Sequence, residues 1–231
     1  MATHRDFYDK PMYRITEYVI AFVLANVYFI LCNLPFIYYS IVVGVTPEAF
    51  SVLMLFIFLI PFGPSAVALC ASMGKLLRDK DITITSYYFK SYKSNFLPSL
   101  KLWGLQLALV FIFVLDYRYF VDRGNIFGVF FLALAAYTLI MGLYAFPILS
   151  RFNLTLKNLI IISLYSSVKK LHITILKIVL IVATYFLSFK IPMLSIFCLF
   201  SLACYVIMFY DNNILVELEN THNANSQQAT H

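Results

Sequence analysis

Charge is the scarcest property of this sequence. Lys, Arg, Asp and Glu make up 12% of its 231 residues, against 62% hydrophobic, a balance outside that of soluble domains. The long hydrophobic runs carry no central Lys, Arg, His, Asp or Glu. A pump coupled to protons or sodium would therefore have no evident charge carrier. Glu17, Lys101, Asp116 and Lys177 fall near run ends, where long side chains reach the interface. No HExxH, GxSxG or Walker A sequence occurs, so no catalytic residue can be named and the chain is expected not to be an enzyme. Cys32, Cys70, Cys198 and Cys204 form no CxxC pair and have no flanking histidine. Neither a zinc site nor a disulfide framework is indicated, and no metal or cofactor is expected. His172 stands alone, and His222 and His231 are isolated in a polar tail. Alternation of polar and apolar residues is missing as well: Leu53 to Ile60 is continuously apolar, which excludes porin-type strands.

What remains is length of apolar run. A hydrocarbon core ~30 Å thick needs about 20 apolar helical residues. Spans of that order are read at 17–43, 51–74, 99–117, 126–149, 171–189 and 192–210. The last two are separated at Lys190-Ile191-Pro192, because Pro192 cannot continue a helix. The expected fold is an all-α polytopic membrane protein. It has about six transmembrane helices in three hairpins, with amphipathic interfacial helices on the cytoplasmic side. Residues 1–210 form a single transmembrane domain, and 211–231 a polar cytoplasmic tail expected to be disordered. The first span is longer than a signal-peptide core and lacks a cleavage site, so it is read as an anchor.

The cations set the orientation. Fourteen of the 17 Lys and Arg residues lie before the first span or around the second-to-third and fourth-to-fifth connections. Only Arg118, Arg123 and Lys190 lie on the other side. The positive-inside rule puts both termini in the cytoplasm of a multi-pass cell-membrane protein. The net charge of +6 is thus matched to the anionic leaflet of the bilayer and not to nucleic acid.

The basic connections have a pattern of their own. From Thr83 to Phe96, Phe89, Tyr92 and Phe96 share one helical face, while Lys90, Ser91, Lys93 and Ser94 cover the other. That predicts an interfacial helix with Lys90, Lys93, Tyr92 and Phe96 as membrane-interface contacts. Asn153 to Lys170 repeats the plan at an offset of 72 residues, with Thr83 and Thr155 as the two N-caps. Either a weak internal repeat or shared composition accounts for this.

Polar groups within the spans are candidates for function. Asn26 and Asn33 are seven apart on one face of the first span, and Gln106 lies within the third. They read either as a hydrogen-bonding path for a polar solute or as interhelical packing contacts, and the absence of a charged partner favours packing. Pro61-Phe62-Gly63-Pro64 must interrupt the second span. Pro61, Gly63 and Pro64 therefore mark a helix break or hinge.

Met12-Tyr13-Arg14-Ile15, Asn26, Gly63-Pro64-Ser65-Ala66-Val67-Ala68-Leu69 and Phe89-Lys90-Ser91-Tyr92-Lys93-Ser94-Asn95-Phe96 follow in that order. This order resembles the YesL-like family of small bacterial membrane proteins, over roughly residues 12–110. The resemblance implies no catalytic residue. It implies an association with ABC-type carbohydrate uptake systems in a bacterial cell membrane. The expectation is a non-enzymatic protein accessory to such a permease. The alternative is a small-solute transporter or channel using the polar face of the first span and the broken second span.

Overall fold

Apolar runs without internal breakers become helices, and each break has a local cause. The computed structural model describes residues 11–43, 49–79 and 83–228, with side chains for 15–43, 53–79 and 83–220. Most of the expected first outer loop (44–50), and Arg5, Lys10, Lys80 and His231, lie outside the described residues. The helices are α1 (Pro11–Cys32), α2 (Leu34–Val42), α3 (Ala49–Phe58), α4 (Phe62–Asp79) and α5 (Ile84–Val121). They continue with α6 (Phe127–Arg151), α7 (Leu156–Lys169), α8 (Leu171–Lys190), α9 (Pro192–Leu194) and α10 (Phe200–Gln228). A π-helical turn, Ser195–Leu199, joins α9 to α10. Among the described residues there is no strand. Among the described residues, six helical segments are long and apolar enough to cross a membrane, the architecture of an all-α multi-pass membrane protein.

The helix α4 is the centre. It is buried from Gly63 to Met73 without interruption and touches α1, α5, α6 and α10. Its sequence explains the position: Gly63, Ser65, Ala66, Ala68, Ala71, Ser72 and Gly74 are small, and small residues let helix backbones approach where lipid gives no hydrophobic drive. Large apolar residues point outward instead, as Ile175, Val179, Val182 and Phe186 do on α8. That is the expected arrangement when the solvent is hydrocarbon.

Cross-contacts fix the pairing of the last hairpin. Lys170 meets Glu217 and Lys177 meets Asp211, so α8 and α10 run antiparallel about a turn near Ile191. The break after Lys190 is therefore where Pro192 predicts it.

Four expectations need correction. The first span is not one helix over 17–43: Pro35, at the start of α2, cannot join the α1 ladder, and the chain breaks at Asn33. The first interfacial helix is not separate. Residues 84–121 form one helix of 38 residues, about 57 Å long at 1.5 Å per residue, continuous through Pro98. Its basic end buries Ile84, Tyr88 and Ser91 against the bundle, so Ser91 lies on the buried face and not with the lysines. Thr83 and Thr155 do occupy N-cap positions, but neither side chain makes a cap hydrogen bond. Finally, no boundary falls at 211. The helix α10 runs on to Gln228, and Asp211, Ile214 and Leu215 are buried, because apolar residues and ion-pair partners continue past the last hydrophobic run.

The spacing of the basic connections does reappear in the structure. The helices α5 and α7 begin at Ile84 and Leu156, 72 residues apart.

Candidate functional site

Asn26 sits on α1 opposite the π-helical turn. A π turn misaligns the helical ladder and leaves backbone groups without their usual partners. The Asn26 amide bonds four backbone groups here, two in the π turn and two at the start of α10. Its Nδ2 donates to the carbonyls of Ser195 (2.7 Å) and Ile196 (2.8 Å). Its Oδ1 accepts from the backbone N–H of Phe200 (3.1 Å) and Ser201 (3.2 Å). Ser201 completes the clamp by donating its hydroxyl to the Phe22 carbonyl at 2.8 Å.

Asn33 lies at the α1–α2 break and is also buried. Its Nδ2 donates to the Phe29 carbonyl (2.7 Å) and to Ser65 Oγ (2.8 Å) on α4. Gln106 on α5 donates to the Thr138 carbonyl of α6 at 3.2 Å. Gly142 makes room for it, since a Cβ there would lie 2.9 Å from Gln106 Nε2. Asn33 Oδ1 and Gln106 Oε1 are buried with no hydrogen-bond partner among the described residues. The three amides thus face three different neighbours, the π turn, α4 and α6, and do not line one common path.

The interruption at Pro61, Gly63 and Pro64 separates α3 from α4. Trp103 of α5 fills it: its indole N–H donates to the Leu59 carbonyl at 2.9 Å. A Cβ on Gly63 would collide with the Trp103 side chain, so glycine is needed here for close approach. Lys90, Lys93 and Phe96 are exposed, whereas Tyr92 is half-buried and packs against the core.

Sequence reasoning missed the most charged feature of the interior. Lys177 and Asp211 are 0% and 3% exposed at the side chain and face each other across α8 and α10. The Lys177 ammonium lies 2.8 Å from both carboxylate oxygens, with the aligned hydrogen bond running to Oδ2. It also donates to the Leu143 carbonyl (3.1 Å) and sits 3.3 Å from the centre of the Tyr144 ring. Tyr144 and Thr174 share a 2.8 Å hydrogen bond, and Thr174 donates to the Ser167 carbonyl at 3.0 Å. This ties the pair to the α7–α8 junction. Lys177 lies six residues into α8, about 9 Å along its axis. It does not snorkel. The sequence did hold a trace of this: Lys170 and Lys177 are seven apart, Asp211 and Glu217 six, so two complementary charges per helix match in an antiparallel hairpin.

A buried lysine–carboxylate pair can hold a charge-neutral junction between helices, or exchange its proton or counter-ion when the helices part. Nearby, the free thiols of Cys70 and Cys204 approach to 3.2 Å between α4 and α10. Among the described residues no three His, Cys, Asp or Glu side chains are grouped to hold a metal ion.

Residues 22–117 match the family model described as "Protein of unknown function, DUF624". The matched stretch holds Asn26, Asn33, the broken second span, Trp103 and Gln106, and ends before Lys177 and Asp211. Neither a curated protein nor a solved structure matches the chain.

Proposed function

We propose that this protein is a non-enzymatic, multi-pass protein of a bacterial cell membrane that works by binding another membrane protein. Both termini lie in the cytoplasm. An ABC-type carbohydrate permease is the partner to which its YesL-like character points. The DUF624 match supports that character, because the DUF624 family includes the YesL-like proteins and the match covers most of the resembling stretch. The observation that carries the reading is the full engagement of Asn26, together with the bonding of the Asn33 and Gln106 donors to neighbouring helices. Asn26, with both donors and its acceptor bonded to protein, offers a passing solute nothing, and Asn33 and Gln106 hold α4 and α6. Affinity purification in a mild, lipid-preserving detergent tests it. One transport protein recovered in near-stoichiometric amount is the expected result. Repeated recovery of the protein alone counts against an accessory role.

A second reading, a small-solute transporter, is favoured by the Lys177–Asp211 pair, because intramembrane ionisable groups commonly mark ion and substrate pathways. Solute flux into liposomes should then fall in Asp211→Asn while the protein stays folded. Flux equal to wild type would remove this reading, as would flux that persists unchanged in both Asp211→Asn and Asn33→Leu.

A further inference from the structure

A polar cavity of about 220 Å³ opens between the basic end of α5 and the α6–α7 connection. Lys90 and Arg151 line its wall, Arg151 being ion-paired with Glu219, with Tyr87, Ser91, Asn95 and Asn153 beside them and no acidic residue among its lining side chains. The cavities nearby differ in kind: the one at Leu97, Leu149 and Leu159 is walled mainly by leucines.

Arg151 is the decisive group. One guanidinium nitrogen, Nη2, pairs with Glu219 of α10, and the guanidinium rests over the Phe152 ring. The other nitrogen, Nη1, is buried with no hydrogen-bond partner among the described residues. A buried guanidinium N–H calls for an acceptor, and the charge-assisted bond it makes best is to a carboxylate or phosphoryl oxygen. Lys90 adds a second cation, and Asn95 and Asn153 bring neutral amide donors. Ser94 and Ser150 already donate to carbonyls of their own helices and are not counted. The volume lies below the range of drug-sized ligand sites, ~300–1,000 Å³, which suits a phosphoryl group with a short polar attachment. The cavity lies at the Arg151 end of α6, the end that also carries Lys169 and Lys170 across the α7 connection. Basic pockets between helices at a membrane surface hold anionic headgroups by this chemistry.

We infer that this cavity is a binding site for a phosphoryl anion, supplied either by the headgroup of an anionic phospholipid or by a soluble phosphate compound. The test uses the full-length protein in mild detergent, titrated with phosphatidylglycerol or phosphatidylcholine and read by native mass spectrometry. The expected result is retention of one phosphatidylglycerol in preference to phosphatidylcholine. Retention should weaken about tenfold in Lys90→Glu and stay near wild type in Lys93→Glu, an exposed neighbour outside the cavity wall. Displacement of that lipid by millimolar inorganic phosphate, or Lys90-dependent phosphate binding by itself, assigns the site to a soluble phosphate compound. Lipid retention unaffected by phosphate assigns it to the headgroup. Equal loss in Lys90→Glu and Lys93→Glu would mean diffuse surface charge and overturn the site, as would failure to bind either probe. Arg151→Lys, with unfolding temperature checked alongside, should weaken the same binding because a lysine loses the guanidinium fork.

Discussion

Asn26 shows how much one side chain can hold in a medium without water. Two carbonyls of the π-helical turn and two N–H groups at the start of α10 are bonded by its amide. In Asn26→Leu they would face hydrocarbon or a rearranged turn, at a cost of about 1–3 kcal/mol for each group left unmet. Partial relaxation should bring the net loss to roughly 2–4 kcal/mol, seen as a lowered unfolding temperature in detergent. A change within error would mean the turn re-forms as regular α-helix. The Lys177–Asp211 pair allows a sharper test. Lys177→Met or Asp211→Leu alone strands a buried charge and should cost about 3–5 kcal/mol, while the double variant should recover most of it. A double variant whose loss equals the sum of the two single losses would show that the pair is not coupled. Both residues were present in the sequence, but their positions near span ends hid their burial. Only the antiparallel register of α8 and α10 reveals it.

At the scale of the element, breaks were legible at three prolines but not at Pro35, whose break at Asn33 lay hidden in a long apolar run. Pro61, Pro64 and Pro192 each stand at an interruption that is present, because a missing N–H is a local fact. What fills the break was not legible, since Trp103 comes from a helix some forty residues on. Trp103→Phe keeps the ring packing but leaves the Leu59 carbonyl with only the Phe62 N–H at 3.1 Å, so it should lower stability by about 0.5–1.5 kcal/mol. Trp103→Ala should cost more, about 3–5 kcal/mol. Equal effects would show that the hydrogen bond contributes nothing. The end of α10 teaches the converse. Its polarity reads as an unstructured tail, yet Glu217 and Glu219 pair with Lys170 and Arg151 while Ile214 and Leu215 are buried. Polar composition marks the end of a span, not the end of a helix, when its charges meet complementary partners.

For the molecule as a whole, hydropathy and cation placement carry different information. Hydropathy predicts six spans, and six helical segments of sufficient length and apolarity are present among the described residues. Cation asymmetry predicts which end faces the cytoplasm. An introduced cysteine checks that: Asp122→Cys should react with a membrane-impermeant maleimide in intact cells, and Lys157→Cys only after permeabilisation. The reverse pattern would invert the topology and place the cavity at Lys90 and Arg151 outside the cell.

The sequence by itself determined the class, the number of spans and the interruptions at Pro61–Pro64 and Pro192, because these depend on apolar length and on proline, both properties of a continuous stretch of chain. The tertiary structure alone decided which polar groups meet. Pairing Asn26 with the π turn, Lys177 with Asp211 and Arg151 with Glu219 requires residues 34 to about 170 positions apart to be brought together. That is a matter of helix register and of the small residues on α4 that let its neighbours close around it.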